Sequence, residues 1–215
     1  MGKTHTVSEL LRLVRASGEW RCAGMKPICC GDRHDAELLL EASSGPLMVD
    51  QLNPVWLKTP AAPFTAALTE NVTIDVEQIL RAFRFLEQRL DYLFVEGVGG
   101  WMVPIRSDYF VSDLAVSMQL PVLVVVRNRL GCLNHTALTV RSIRSLGLTC
   151  AGIVLNQLPG DDDVSMATNA DVLRQILGAP VLPALTEKTT ELSAEWRSLF
   201  QSCVSGQVSA GHTQM

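Results

Sequence analysis

Apolar and polar positions follow two rhythms along this chain, and the rhythms themselves alternate. Short, nearly continuous apolar runs occur at Cys22–Met25, Tyr92–Val95, Pro121–Val126, Ala151–Leu155 and Pro180–Leu185. They are rich in Val, Leu and Ile without period-two alternation, which predicts strands covered on both faces. Between them Ile79, Leu80, Phe83, Leu86 and Leu90 recur at helical spacing, with Arg81, Arg84, Glu87 and Gln88 on the other face. A second helix is predicted from about Leu133 to Ser145, stopping at Gly147 as a left-handed cap. A third should follow Asp161–Asp163, whose carboxylates suit a helix N-terminus. Repeated strand-helix-strand order predicts an α/β fold: a mostly parallel sheet with right-handed crossovers and helices on both faces. From Val204 onward Ser, Gly, Gln, His and Thr dominate, which predicts a flexible tail at 204–215 behind a single domain at 1–203.

Composition narrows the class. The chain has 215 residues, 47% of them hydrophobic, enough for a sizeable core. Its longest apolar run, Leu120–Val126, is far short of the ~20 residues of a membrane helix. Lys3, His5, Ser8 and Glu9 interrupt any signal-peptide-like stretch, so no membrane association and a cytoplasmic location are expected. Eighteen basic and 22 acidic residues are spread evenly for a net charge of −4, without the basic stripe of a nucleic-acid binder. The six cysteines lack C-x-x-C spacing and read as free thiols in a reducing compartment.

Candidate chemistry begins at the first residues. Met1-Gly2-Lys3-Thr4 followed by a helix with Val7, Leu10, Leu11 and Val14 is the back half of G-x-x-x-x-G-K-[ST]. In that motif backbone N–H groups cradle phosphates, the Lys reaches the terminal phosphate oxygens and the hydroxyl binds Mg²⁺. Alone, a terminal G-K-T serves equally well as a plain helix start. A turn at Ser17-Gly18-Glu19 and a strand through Arg21–Ile28 follow, placing Lys26 near a strand's carboxyl end, where open α/β sheets hold ligands. A solvated lysine is the plain alternative. Next comes a small-residue loop, Cys29 to Ala36, in which Asp35 beside Arg33 would ordinarily be a helix cap and an ion pair. The strongest motif is Leu93-Phe94-Val95-Glu96-Gly97-Val98-Gly99-Gly100-Trp101. An acidic residue closes an apolar strand there, as a Mg²⁺-directed carboxylate does, and three glycines let backbone approach a ligand or take positive φ.

Together with Leu130-Gly131-Cys132-Leu133-Asn134-His135 and Ala151-Gly152-Ile153-Val154-Leu155-Asn156, these segments resemble dethiobiotin synthetase across residues 2–186. The resemblance implies a P-loop NTPase-like three-layer sandwich and a homodimer with the substrate site at its interface. It implies ATP, CO₂ and 7,8-diaminononanoate as substrates and Mg²⁺ as cofactor. It assigns catalysis to Lys3 and Lys26, and metal binding to Thr4, Asp35 and Glu96. Nucleotide binding falls to Gly2, Lys3, Thr4, Glu96, Asn156 (on the adenine edge) and Leu185. Substrate binding falls to Lys26, Cys30, Gly99 and Gly100, and to Gly131, Cys132, Leu133 and Asn134 at the distal carboxylate. The family's first strand and the first half of its loop are absent, so Met1 is expected not to be the natural start. Cys30 replaces a usual Ser, Phe64 a common His, and Asn169 a Tyr of some members. Related amide synthases need a glutaminase domain, for which too little chain follows Asn156. A partitioning-type switch ATPase and a non-catalytic remnant are the other readings left open.

Overall fold

The computed structural model describes residues 2–16, 18–158 and 160–209, with side chains of 203–209 excepted. Two compact units are present: Lys3–Gln119, and Leu120–Met215 with Met1–Gly2.

In the first unit, helix α1 (Lys3–Ala16) leads through a turn to strand β1 (Cys22–Met25), buried at every position. Gly18 sits at φ +69 in that turn, while Ser17 lies outside the described residues. β1 runs parallel to β4 (Tyr92–Val95), in register from Cys22↔Tyr92 to Met25↔Val95. Helices α1 and α2 (His34–Ala42) pack on β1 at Gly24, where a Cβ would lie 3.0 Å from both Leu11 Cδ1 and Leu39 Cδ2. A side chain there would push the helices off the strand.

The single strand expected over Arg21–Ile28 is instead two. After Met25 the backbone leaves β4; Lys26 N donates to Leu52 O, and Pro27 has no N–H to offer a ladder. The chain resumes as β2 (Ile28–Cys30), parallel to β3 (Val55–Leu57), with the short helix α3 (Val49–Leu52) between α2 and β3. Helix α4 (Pro63–Glu70) starts on Pro63, suited to a first helical turn. Helix α5 (Val76–Glu87) is the amphipathic segment predicted from Ile79 onward, and the Asp75 carboxylate accepts from Gln78 N at its start. Strands β5 (Pro104–Arg106) and β6 (Tyr109–Phe110) form an antiparallel hairpin before α6 (Val111–Met118).

In the second unit, β7 (Val122–Arg127), β8 (Cys150–Asn156) and β9 (Val181–Leu182) form a parallel sheet in that order. Helices α7 (Cys132–Ser145) and α8 (Met166–Leu177) share a core with it through Val126, Val140, Ile153 and Leu173. Gly147 follows α7 at φ +77, as its place in the sequence predicts. Helix α9 (Ala194–Ser209) covers the first part of the expected tail; residues 210–215 lie outside the described ones.

Burial on both faces holds for β1 but not for β4 or β7, whose side chains are mostly half-buried. Among the described residues β1 and β4 pair only with each other and β7 only with β8, so pairing does not separate β1 from the other two; the packing of α1 and α2 on β1 does. No helix among these residues is long and apolar enough to cross a membrane.

Candidate active site

The parallel register of β1 and β4 decides where the polar residues meet. Lys26 and Glu96 each follow the last residue of a paired strand, and Glu96 N donates to Met25 O at 2.8 Å. Their side chains therefore leave the same sheet edge together. Lys26 Nζ donates to Glu96 Oε1 at 2.6 Å and to Asp35 Oδ2 at 2.7 Å. Thr4, in the first turn of α1, has its Oγ1 2.9 Å from both Asp35 Oδ1 and Glu96 Oε1. Lys3 Nζ donates to Gly99 O at 2.9 Å. Two lysines, two carboxylates and a hydroxyl from four elements thus form one cluster.

The cluster is dry on one side and open on the other. The side chains of Lys26 and Glu96 are 6% and 2% exposed, whereas that of Asp35 is 44% exposed. Burial pulls the Lys26 ammonium towards losing its proton, but Glu96 and Asp35 outweigh it and hold Lys26 above its ordinary value. Burial pushes Asp35 up, and the bonds from Lys26 and Thr4 bring it net below the usual carboxylate range. Lys3 is held below its ordinary value, first by burial and then by repulsion from Lys26, with Glu96 and Asp35 opposing. The pairing of Asp35 with Lys26 and Thr4 replaces the ordinary reading of an Asp35–Arg33 pair; Arg33 instead binds Asp50 and Asn53.

One atom of the cluster is left open. Glu96 Oε2 is buried without a hydrogen-bond partner. A buried, unpaired carboxylate oxygen is costly and rare in a native fold. With Glu96 Oε1, Asp35 and the Thr4 hydroxyl it makes an all-oxygen donor set, the kind a hard divalent cation takes. Among the described residues no group of three or more His, Cys, Asp or Glu could enclose an ion by itself. The donor set accordingly fits Mg²⁺, which keeps water and substrate phosphate among its ligands, better than a tight structural metal.

The three glycines after Glu96 serve different ends. Gly99 adopts φ +63 and presents its carbonyl to Lys3, and a Cβ there would lie 2.8 Å from Val103 Cγ2. Gly97 lies against Val111, and Gly100 is exposed with open space beside it. Cys30 is half-buried; its thiol is raised by burial first and by the charge of Glu70 second.

The remaining sequence-predicted residues belong to the second unit. Asn156 ends β8, is 6% exposed, and donates from Nδ2 to Gly2 O at 3.3 Å. Leu185 is buried. Gly131 sits at φ +89 as the N-cap of α7, and no side chain caps that helix. Cys132 turns into the core and Leu133 packs against it, leaving Asn134 exposed. Asp161 and Asp163 do not cap α8 as their position suggests. Asp161 accepts from Arg127 and from Leu158 N, and Asp163 from Leu130 N and Ser165 N. Asn169 is buried and donates to Asn128 Oδ1. Sequence reasoning passed over Asn53, buried beneath Lys26; an Asn before a Pro at the end of a short helix was its only signal.

Known proteins resemble this chain over most of its length. A family model described as an AAA domain matches residues 1–195. The chain is 42% identical to the ATP-dependent dethiobiotin synthetase of Akkermansia muciniphila over 185 residues, covering 86% of each. It is 41% identical to that of Aromatoleum aromaticum, covering 85% of this chain and 84% of the relative. The Bacillus subtilis synthetase is 34% identical over 91% of this chain and 86% of its own length. Among solved structures, a ParA family ATPase from Chlorobium tepidum superposes with TM-score 0.52 at 13% identity, over 98% of this chain and 89% of that one. The MinC:MinD complex of Aquifex aeolicus gives TM-score 0.50 at 14% identity, over 100% and 93%. Those two likenesses show a shared P-loop NTPase-like α/β fold, and the closer relatives show that the chain belongs to the family of ATP-dependent dethiobiotin synthetases.

Proposed function

We propose that the chain closes the ureido ring of dethiobiotin from 7,8-diaminononanoate and CO₂ at the expense of ATP, working as a cytoplasmic homodimer. The observation that carries this reading is the Thr4–Asp35–Glu96 oxygen cluster bridged by Lys26, with Glu96 Oε2 left unpaired, in a member of this family.

One amine of the diamine adds to CO₂, losing a proton to give a carbamate. A carbamate oxygen attacks the terminal phosphorus of ATP and ADP departs, leaving a carbamic–phosphoric anhydride. The second amine attacks the carbamoyl carbon, phosphate leaves and a proton is released, closing the ring. Each step gains or relocates negative charge on oxygen, so fixed cations and orientation carry the rate. Lys3, at the head of α1, faces the phosphates together with the backbone N–H groups of that helix start. Lys26, held protonated by two carboxylates, lies at the carbamate and the phosphoryl group in transit. Thr4, Asp35 and Glu96 would hold Mg²⁺, which when bound offsets phosphate charge. Gly99 and Gly100 offer backbone, and Cys30 its side chain, to the diamine. The uncapped N-terminus of α7, with Gly131, Cys132, Leu133 and Asn134, suits the distal carboxylate, supplied across a dimer interface. Asn156 and Leu185 serve the adenine.

Phosphate release from MgATP and bicarbonate, with and without the diamine, tests the reading. Diamine-dependent release with one dethiobiotin formed per phosphate is expected. Hydrolysis indifferent to the diamine would instead favour a switch ATPase.

A further inference from the structure

The register of β1 and β4 brings Lys26 to Glu96, but Lys26 lies one residue beyond that ladder and its own backbone groups are held by residues 52–53. Lys26 N donates to Leu52 O at 2.9 Å, and Lys26 O accepts from Asn53 Nδ2 at 2.8 Å. Asn53 is 1% exposed and its amide is fully engaged. The second Nδ2 hydrogen goes to Val55 O at 2.9 Å, and Oδ1 accepts from Arg33 Nε at 2.9 Å. Its backbone N donates to Val49 O, and its backbone carbonyl accepts from the Arg33 guanidinium at 2.9 Å.

Arg33 immediately precedes α2, whose second residue is Asp35. Its guanidinium also binds Asp50 at 2.8 Å and lies 5.1 Å from the ring centre of Trp56, whose Nε1 donates to Gly31 O. One buried amide therefore joins the backbone that carries Lys26 to the residue that starts the helix carrying Asp35. A buried amide satisfied on three sides holds its partners to hydrogen-bond tolerance, and each lost bond would strand a buried polar group.

We propose that Asn53, acting with Arg33, is a positioning residue that sets Lys26 and Asp35 in register for phosphoryl transfer. The proposal rests on the synthetase reading above. Displacing a catalytic group by about 1 Å costs about 10²-fold in rate, even when the substitution touches no substrate. Lys3 and Thr4 stand on α1 and Glu96 follows β4, none of which Asn53 contacts in the bonds described, so the phosphate lysine and two of the three oxygen donors keep their places and KM for MgATP should change far less than kcat.

The test compares the full chain with Asn53→Ala, Arg33→Lys and Asp50→Asn, reading phosphate release, KM for MgATP and the thermal midpoint. Asn53→Ala is expected to lower kcat about 100-fold with KM for MgATP within about two-fold. Arg33→Lys keeps the charge but loses the forked donors, so it should lower kcat about 10-fold. Asp50→Asn, altering only an exposed partner, should behave as the parent. Lowered midpoints with kcat unchanged well below them would overturn the proposal, leaving Asn53 as a structural brace. So would a rise in KM for MgATP with kcat preserved. If Asn53→Ala fails to fold, a folded Arg33→Lys with parental kcat overturns it equally. Absence of diamine-dependent turnover in the parent chain sinks the synthetase reading and the proposal together; parental turnover with unaffected variants sinks the proposal alone.

Discussion

Both units place polar residues beyond the carboxyl ends of parallel strands, yet they resolve the charges in opposite ways. Past β1 and β4, Lys26 and Glu96 are almost wholly buried, and one carboxylate oxygen is left without a partner. At the end of β7 and past β8, Arg127 and Asp161 are less buried and fully engaged: the guanidinium binds both carboxylate oxygens, and Oδ2 also accepts from Leu158 N. The neutral pair Asn128–Asn169 completes the second set. On the function proposed above the unsatisfied set takes a ligand, whereas the satisfied set ties loops together. Burial of a charge with an open valence, rather than the number of charges, separates a reactive site from a latch.

The largest expected effect comes from closing the open valence. Glu96→Gln keeps the shape, removes the negative charge under Lys26, and replaces an acceptor oxygen by a donor. Loss of one preorganised electrostatic group should lower kcat by about 10²–10³-fold. The Lys26 ammonium, left with Asp35 as its one charged partner, should lower unfolding stability by about 3 kcal/mol at most in urea titrations. A variant within ten-fold of the parent in kcat would show that the buried pair is structural. Next in size is Gly99→Ala. A left-handed alanine costs about 1 kcal/mol, and its Cβ would meet Val103 at 2.8 Å, so the carbonyl that holds Lys3 must shift. KM for MgATP should rise and the thermal midpoint fall together; a raised KM at an unchanged midpoint would contradict the strain argument.

Smaller still is Cys30→Ser. The thiol is half-buried at the end of β2, and a hydroxyl there is the stronger hydrogen-bond partner. One added neutral bond is worth about 1 kcal/mol, so KM for the diamine should fall by about five-fold at most, with kcat unchanged. No change in KM would place Cys30 outside the diamine's reach.

The strands of the reactive site were legible because their signals are local. Cys22–Met25 and Tyr92–Val95 are continuous apolar runs with turn-forming neighbours, and the structure keeps both boundaries. Glu96 stood out because an acid closing such a run, followed by glycines, has few other uses. The partners were not legible in the pattern. Glu96 meets Lys26 and Thr4 across 70 and 92 positions, and Asp35 takes Lys26 rather than its neighbour Arg33. Local spacing proposes the near partner, and only the sheet register brings the distant one. The same limit explains Asp161 and Asp163, whose carboxylates suit a helix start locally but bind residues 33 and 34 positions away. Asn53 went unseen because a buried amide has no periodicity to announce it.

The latch should betray itself only in acid. Asp161 is lowered from its ordinary value of 3.8 to about 2, first by Arg127 and then by the N–H of Leu158. A carboxyl depressed in the folded state stabilises the fold above its unfolded value and loses that contribution as pH falls through its folded one. The stabilisation by Asp161 is therefore whole from about pH 5 upward and gone near pH 2. Asp161→Asn keeps the shape, drops the charge and cannot titrate. Its thermal midpoint should lie slightly below the parent's at neutral pH, and the gap should shrink between about pH 4 and pH 2. Because the Arg127 side chain is 37% exposed, 0.5 M salt should shrink the same gap at neutral pH, since the Debye length there is only about 4 Å. Glu96→Gln supplies the contrast, because salt screens a buried pair far less and its deficit should persist. A gap for Asp161→Asn that widens on acidification, or that ignores salt, would mean that this set too is a buried charge site, and the distinction between the two strand ends would fall.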